Sequence, residues 1–280
     1  MFKDAQSRTF TATSSPLRDE QGQQQQQHQQ PWKLAPPQPP SVHPRPHHDA
    51  TFDTLARPEQ LRTVMRLLPH SVVVCTSSSP STSPSTSSAS TTTTTTTPST
   101  ATTVPRGMTM SSFTSLTLHP APLITFNVAT PSRTLDAVAL SRRFNVHVLS
   151  GDAAGARVAE WFRRGNADGL GVFEAERMRD GCGCEVQEPG QGQEQEQGGV
   201  AHGGAPLLRG PGVLYALRCR LLDDEPVGGL VRVRDHVLVV AEVVDIVEGQ
   251  DEREGEEPFG LVYADRRYRQ LGGTMVQGGE

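Results

Sequence analysis

The sequence has no apolar run approaching the roughly 20 residues that a bilayer-spanning helix needs. No apolar segment follows its start as a secretory signal would, and we expect a soluble, intracellular chain. Cysteine is scarce, with four in 280 residues. That is too few for a disulfide framework and fits a reducing compartment. Cys182 and Cys184 form a C-x-C in a Gly-rich stretch, but no second Cys or His pair stands at zinc spacing. We read them as loop thiols and expect no metal site. A basic excess is also missing: the formal net charge is -5, which argues against a nucleic-acid partner. Hydrophobic residues are only 35%, below the roughly 45% of an ordinary globular chain.

What fills the gap is low-complexity sequence. With 26 glycines and 22 prolines, long polar segments lie beside an ordinary core. Removing those tracts leaves roughly 170 to 190 residues, the size of one domain. Residues 1–50 read as a disordered tail, because the glutamines from Gln21 to Gln30 and the Pro-rich stretch Pro36–Pro46 cannot bury enough apolar surface to offset ordering entropy. His43, His47 and His48 belong to that tail, separated by prolines and without a helix to align them. Ser7 to Ser15 is rich in Ser and Thr with one Arg, like the end of a mitochondrial presequence, while Asp4 and the absence of a basic amphipathic helix count against it. The expected location is cytoplasmic or mitochondrial, leaning to the second.

The ordered region is expected over 51–271. Leu61, Val64, Met65 and Leu68 recur at helical spacing, which predicts an amphipathic helix over Arg57–Leu68 ended by Pro69. Ser71–Thr76 is a β-branched run and predicts a buried strand. From Ser77 to Thr103 the chain is almost wholly Ser, Thr and Pro, with seven consecutive threonines. We read this as a disordered hairpin loop produced by repeat expansion, tolerated because loop-closure cost grows only logarithmically. Strands are expected over Met108–Leu118, Leu123–Val128, Phe144–Leu149, Val213–Leu222, Val237–Val247 and Phe259–Tyr263. Helices are expected over Thr134–Arg143, with Leu135, Val138 and Ala139 on one face, and over Asp152–Phe162, burying Val158, Trp161 and Phe162. A second disordered insertion is expected around 187–204, and 272–280 is a Gly-rich tail. Many strands with two or three short helices indicate a mainly β fold, an antiparallel barrel or sandwich.

Four segments carry candidate chemistry. Gly107–Leu116 crowds small hydroxyl residues on both faces of a strand. Such residues pack poorly and suit either a solvated edge or the carbonyls and nitrogens of a bound heterocycle. Ser132 stands where a helix N-cap belongs, followed by Arg133. A helix start with a guanidinium beside it suits a phosphate, although a capped helix with a surface Arg reads the same way. Arg234-Asp235-His236 opens a strand, where His236 is either a ligand contact or a turn residue. Leu261–Tyr268 supplies aromatics that flank a ring or close a barrel end.

Taken in order, SVVVCT, GMTMSSFTSLTLHPAPLITFNV, PSRTLDAVALSRRFNVHVLS, LRGPGVLYALRCRLL, RDHVLVVAEVVDI and PFGLVYADRRYRQL closely resemble the flavin-reductase-like domain, over about Leu61 to Leu271 apart from the two insertions. The resemblance implies an FMN-binding antiparallel split β-barrel, usually a homodimer with flavin near the subunit interface. It implies an NAD(P)H-dependent flavin oxidoreductase passing a hydride from nicotinamide to flavin N5, with FMN as cofactor, FAD or riboflavin as alternative substrates, and NADPH or NADH as donor. Thr109, Ser111 and Ser112 would lie along the isoalloxazine and ribityl chain, and Ser132, Arg133 and Thr134 at the phosphate. His236 would lie near the nicotinamide as the catalytic candidate. In the family the mouth triplet is usually Gly-Asp-His; here Arg234 stands in the place of the Gly. A monooxygenase is the implied protein partner. The rivals are a non-catalytic FMN-binding split-barrel protein and an FMN oxidase of the pyridoxamine-phosphate-oxidase type.

Overall fold

The computed structural model describes residues 50–80, 103–164, 171–187, 204–224, 228–249 and 259–272. Met1–Leu55 and Ala56–Glu280 are separate units. Of the first, the described part is a short helix, α1 (Ala50–Thr54). The tails and most of both expected insertions lie outside the described residues.

The second unit is built on an antiparallel sheet. Its strands are β2 (Val73–Pro80), β3 (Thr103–Met110), β4 (Thr114–Thr117), β5 (Leu123–Ala129), β6 (Arg143–Leu149), β9 (Val213–Leu221), β10 (Leu230–Val233) and β11 (His236–Glu248). They run in the order β3-β2-β6-β9-β11-β5-β4, with β10 also on β11. β3 and β4 are therefore opposite edges of the sheet. Only Ser111, Ser112 and Phe113 join them, a span of at most about 14 Å from Met110 to Thr114. The sheet has to curl to bring those two strand ends within that span, as in the split barrel that the family resemblance implies. Ser112 helps close it: its hydroxyl donates to the Asn127 carbonyl of β5 (3.0 Å) and accepts from the Asn127 N–H (3.1 Å).

Period-2 alternation divides the core in two. Val73 and Cys75 of β2 face the barrel interior with Met110, Phe126, Phe144, Val146, Val239 and Ala241, joined by Leu135 and Val138 of helix α3 (Arg133–Ser141). Phe126 and Phe144 meet edge to face, with centroids 5.6 Å apart. Val72, Val74 and Leu149 face the other way, against Val158, Ala159 and Phe162 of α4 (Ala153–Arg163) and Met178 of α5 (Ala175–Cys182). That two-sided burial is why Val72–Cys75 is a continuous apolar run. Two smaller sheets complete the unit: β1 (His70–Ser71) with β12 (Val262–Ala264) and β13 (Arg267–Arg269), and β7 (Glu185–Gln187) with β8 (Leu207–Arg209).

Several expectations are corrected. The loop read over Ser77–Thr103 begins later, because β2 continues through Ser77–Pro80 paired with Thr103–Arg106. Ser77 and Ser78 are buried there because their hydroxyls find carbonyls, on Arg143 (2.8 Å) and on Gly204 respectively. The second insertion is also trimmed, since Gln187 pairs with Leu207 and Gly204 is anchored to Ser78. The single strand read over Met108–Leu118 is two, broken at the edge-to-edge crossing. On α3 the buried partner of Leu135 and Val138 is Ala137, with Ala139 exposed. Helix α2 (Arg57–Met65) forms where expected but buries none of its residues. Cys182 and Cys184 are buried core thiols at the end of α5, a helix the Gly-rich composition concealed.

Candidate functional site

Helix α3 begins as its sequence dictates. Ser132 takes an extended conformation (φ -144°, ψ 116°), and its hydroxyl accepts the Leu135 N–H at 3.2 Å. First-turn N–H groups have no intrahelical partner, and the helix dipole places positive potential at this end. Arg133 is exposed at the first position, with no ion pair among the described residues. Thr134, by contrast, is 1% exposed and turned into the fold. Of the three residues expected at a phosphate, Ser132 is half-buried and Arg133 exposed at the helix start. Thr134 can contribute only through its backbone.

Three neighbours frame this helix start. Ser132 Oγ lies 4.0 Å from Met108 Sδ, bringing α3 against β3. Thr130, at the end of β5, donates from its N–H (2.7 Å) and its hydroxyl (3.0 Å) to the Asp235 carbonyl in the β10–β11 turn. Those two bonds hold the hairpin carrying Asp235 and His236 beside the loop that leads into α3. Nothing in the sequence singled out Thr130 as the pin, because a Thr before a Pro has many uses. His236 itself pairs across the ladder with Ala129. Its side chain is 46% exposed, with Nδ1 3.0 Å from Asp235 Oδ1. The hydrogen bond from His236 holds the Asp235 carboxyl below its ordinary range.

The hydroxyl strand is less uniform than expected. Thr109 Oγ1 donates to the Ala159 carbonyl of α4 at 2.6 Å, on the face of β3 away from Ser132. Ser112 is committed to Asn127. Ser111 is exposed, and its hydroxyl has no partner among the described residues. What the crossing does offer is backbone: Ser111–Phe113 lie outside the ladders of both β3 and β4, so no neighbouring strand takes up their N–H groups. The fold thus gathers Ser111, the crossing backbone, Ser132, Arg133, Asp235 and His236 at one end of the barrel, and turns the Thr109 side chain elsewhere. Among the described residues no group of three or more His, Cys, Asp or Glu is arranged to hold a metal, and no helix is long and apolar enough to cross a membrane.

Residues 65–272 match the family model of the flavin reductase like domain, and the chain belongs to that family. Among solved structures it is similar to the NADH:FAD oxidoreductase SgcE6 of Streptomyces globisporus, at 20% identity over 88% of this chain and 99% of that one, with a TM-score of 0.50. The same enzyme solved in complex with NAD and FAD fragments matches at 20% identity over 79% of this chain and 96% of that one, with a TM-score of 0.50.

Proposed function

We propose that this protein is an NAD(P)H-dependent flavin oxidoreductase that binds FMN at the end of the barrel where α3 starts. The observation that carries the reading is the pair of hydrogen bonds from Thr130 to the Asp235 carbonyl. They put an anion-binding helix start and a polar His/Asp turn into one mouth, as a site for flavin phosphate and nicotinamide requires. Ser132 and Arg133, with the first-turn N–H groups of α3, hold the phosphate. The Ser111–Phe113 crossing presents N–H groups and the Ser111 hydroxyl to the polar edge of the ring. Bound flavin supplies the hydride acceptor, through its N5, and the nicotinamide supplies the hydride. The chain's own work is to hold the two rings in contact and keep water out. His236 with Asp235 flanks the nicotinamide side as a contact and orienting pair.

The outer face of β10, β11, β5 and β4 supports a homodimer with flavin at the subunit interface. Val233 (57% exposed), Leu238 (37%) and Leu116 (56%) leave it apolar and open. A monooxygenase that takes up reduced flavin is the protein partner this reading implies. A non-catalytic FMN-binding protein is the second reading, favoured by Arg234 in the turn beside His236.

Purified protein with added FMN should turn yellow and oxidise NADH or NADPH only when flavin is present. Flavin binding without nicotinamide oxidation selects the second reading. Absence of flavin binding refutes both.

A further inference from the structure

The tip of the β10–β11 hairpin carries charge that the flavin site does not use. Arg232 and Arg234 stand two residues apart, both exposed, and neither side chain has an ion pair or hydrogen bond among the described residues. Two arginines of β9 are matched by contrast: Arg218 lies 3.3 Å from Asp245 and Arg220 2.7 Å from Glu242. The acid within the hairpin turn, Asp235, is committed to His236. Arg234 also sits at φ +55°, a left-handed conformation that glycine adopts without the clash a Cβ brings. A long cationic side chain is held there in spite of the backbone. In a chain of net charge -5, two unmatched guanidinium groups at the mouth of a nucleotide site form a local attractor for an anion.

We propose that Arg232 and Arg234 form the subsite for the 2′-phosphate of NADPH, so that this protein takes NADPH in preference to NADH. The inference rests on the flavin-oxidoreductase reading above, which places the nicotinamide beside His236, the first residue after the turn. Charge decides between the phosphates of the dinucleotide. The 2′-phosphate is a monoester carrying nearly two negative charges at neutral pH, matching two guanidinium forks. Each phosphate of the diphosphate carries one charge, and NADH has that group as well.

The test compares NADPH and NADH kinetics for the FMN-loaded full-length protein with those of Arg234→Gln and Arg232→Gln. Arg267→Gln, on the separate β12–β13 hairpin, serves as the control for a simple loss of surface charge. Each site variant should raise the ratio of KM for NADPH to KM for NADH roughly tenfold, with the change in KM rather than kcat, and the control should not move the ratio. A second measurement needs no turnover: calorimetric titration with adenosine 2′,5′-bisphosphate and with 5′-AMP. The wild type should bind the bisphosphate about tenfold more tightly, and Arg234→Gln should abolish the difference. Equal binding of the two nucleotides, an equal weakening of NADH and NADPH, or the same effect from Arg267→Gln overturns the subsite. Failure of nicotinamide oxidation with the nucleotide preference intact refutes the oxidoreductase reading and leaves the subsite standing.

Discussion

His147 makes the stability of this barrel depend on pH. It lies on β6, fully buried at 0% exposure. Nδ1 is 3.1 Å from the Val74 carbonyl, and Nε2 accepts the Leu208 N–H at 2.9 Å. An acceptor at Nε2 requires the proton on Nδ1, so the neutral ring satisfies both partners and a protonated ring would strand the Leu208 N–H. Burial pushes its pKa down from 6.5 to about 4, with Arg209 adding to the shift and the Val74 carbonyl opposing it. The folded value is therefore depressed below the unfolded one. Above about pH 6.5 both states are neutral and the full stability is present. Between 6.5 and about 4 only the unfolded chain takes up the proton, so stability falls with pH, and below 4 the loss levels off. The displacement corresponds to about 3 kcal/mol, a large part of the roughly 5 to 15 kcal/mol typical of a domain. Urea unfolding followed by tryptophan fluorescence at half-unit steps from about pH 7.5 to 4.5 measures it, with His147→Gln as the non-titrating reference. Carboxylate titrations are common to both proteins and cancel. The wild type should lose up to about 1.4 kcal/mol per pH unit more than the variant. Parallel curves would refute the neutral, doubly bonded ring.

Other outcomes follow from the same geometry. Arg133→Ala should weaken FMN by roughly tenfold or more and riboflavin little, because only FMN carries the phosphate that a charge-assisted bond serves; equal losses in a fluorescence titration would move the phosphate elsewhere. Ser132→Ala should cost about 1 kcal/mol in urea unfolding through loss of the α3 cap, and weaken FMN as the helix start frays. Arg234→Gly should raise stability by up to about 1 kcal/mol by relieving the left-handed turn, while lowering the preference for NADPH. Phe126→Ala should cost about 3 to 5 kcal/mol, since the ring is buried edge to face against Phe144 inside the barrel. Replacing residues 81–102 by a short turn should leave flavin affinity and Tm nearly unchanged. Removing Ser77–Thr103 instead should lower Tm by several degrees, because it deletes the buried bonds of Ser77 and Ser78.

Those last two deletions mark where sequence reasoning stopped. Composition locates the low-complexity tract but not its edges, since a serine with a carbonyl in reach and a serine in water are the same letter. Ser77 and Ser78 are strand because Arg143 and Gly204 happen to face them, which no local pattern records. The same gap explains the hydroxyl strand. Thr109 and Ser112 looked like ligand contacts, and the hydroxyls of both close the architecture, one onto Ala159 and one onto Asn127. Where the signal was periodic and local it was legible. The Ser132 cap and the α3 face through Leu135 and Val138 could be read directly. Composition served less well at α5, whose buried Met178 and Cys182 are hidden among Gly, Arg and Asp.

The topology also accounts for how an oxidoreductase core carries such long additions. The first insertion leaves the barrel at Pro80 and returns at Thr103, the far end of a hairpin whose near end pairs Val73 with Met110. Eight residues of antiparallel strand put about 24 Å between that exit and Met110, next to the Ser111–Phe113 crossing. The second insertion connects β7 to β8, where Gln187 pairs with Leu207, and its returning end at Gly204 is tied to Ser78 near the first exit. The described ladders on either side of both keep their register. Doubling such a loop adds only about 0.6 kcal/mol of closure entropy, and it adds no residue between α3, the crossing and the β10–β11 hairpin. An insertion as long at Ser111–Phe113 would instead lengthen the link between the two edge strands, where Ser112 is bonded to Asn127 of β5.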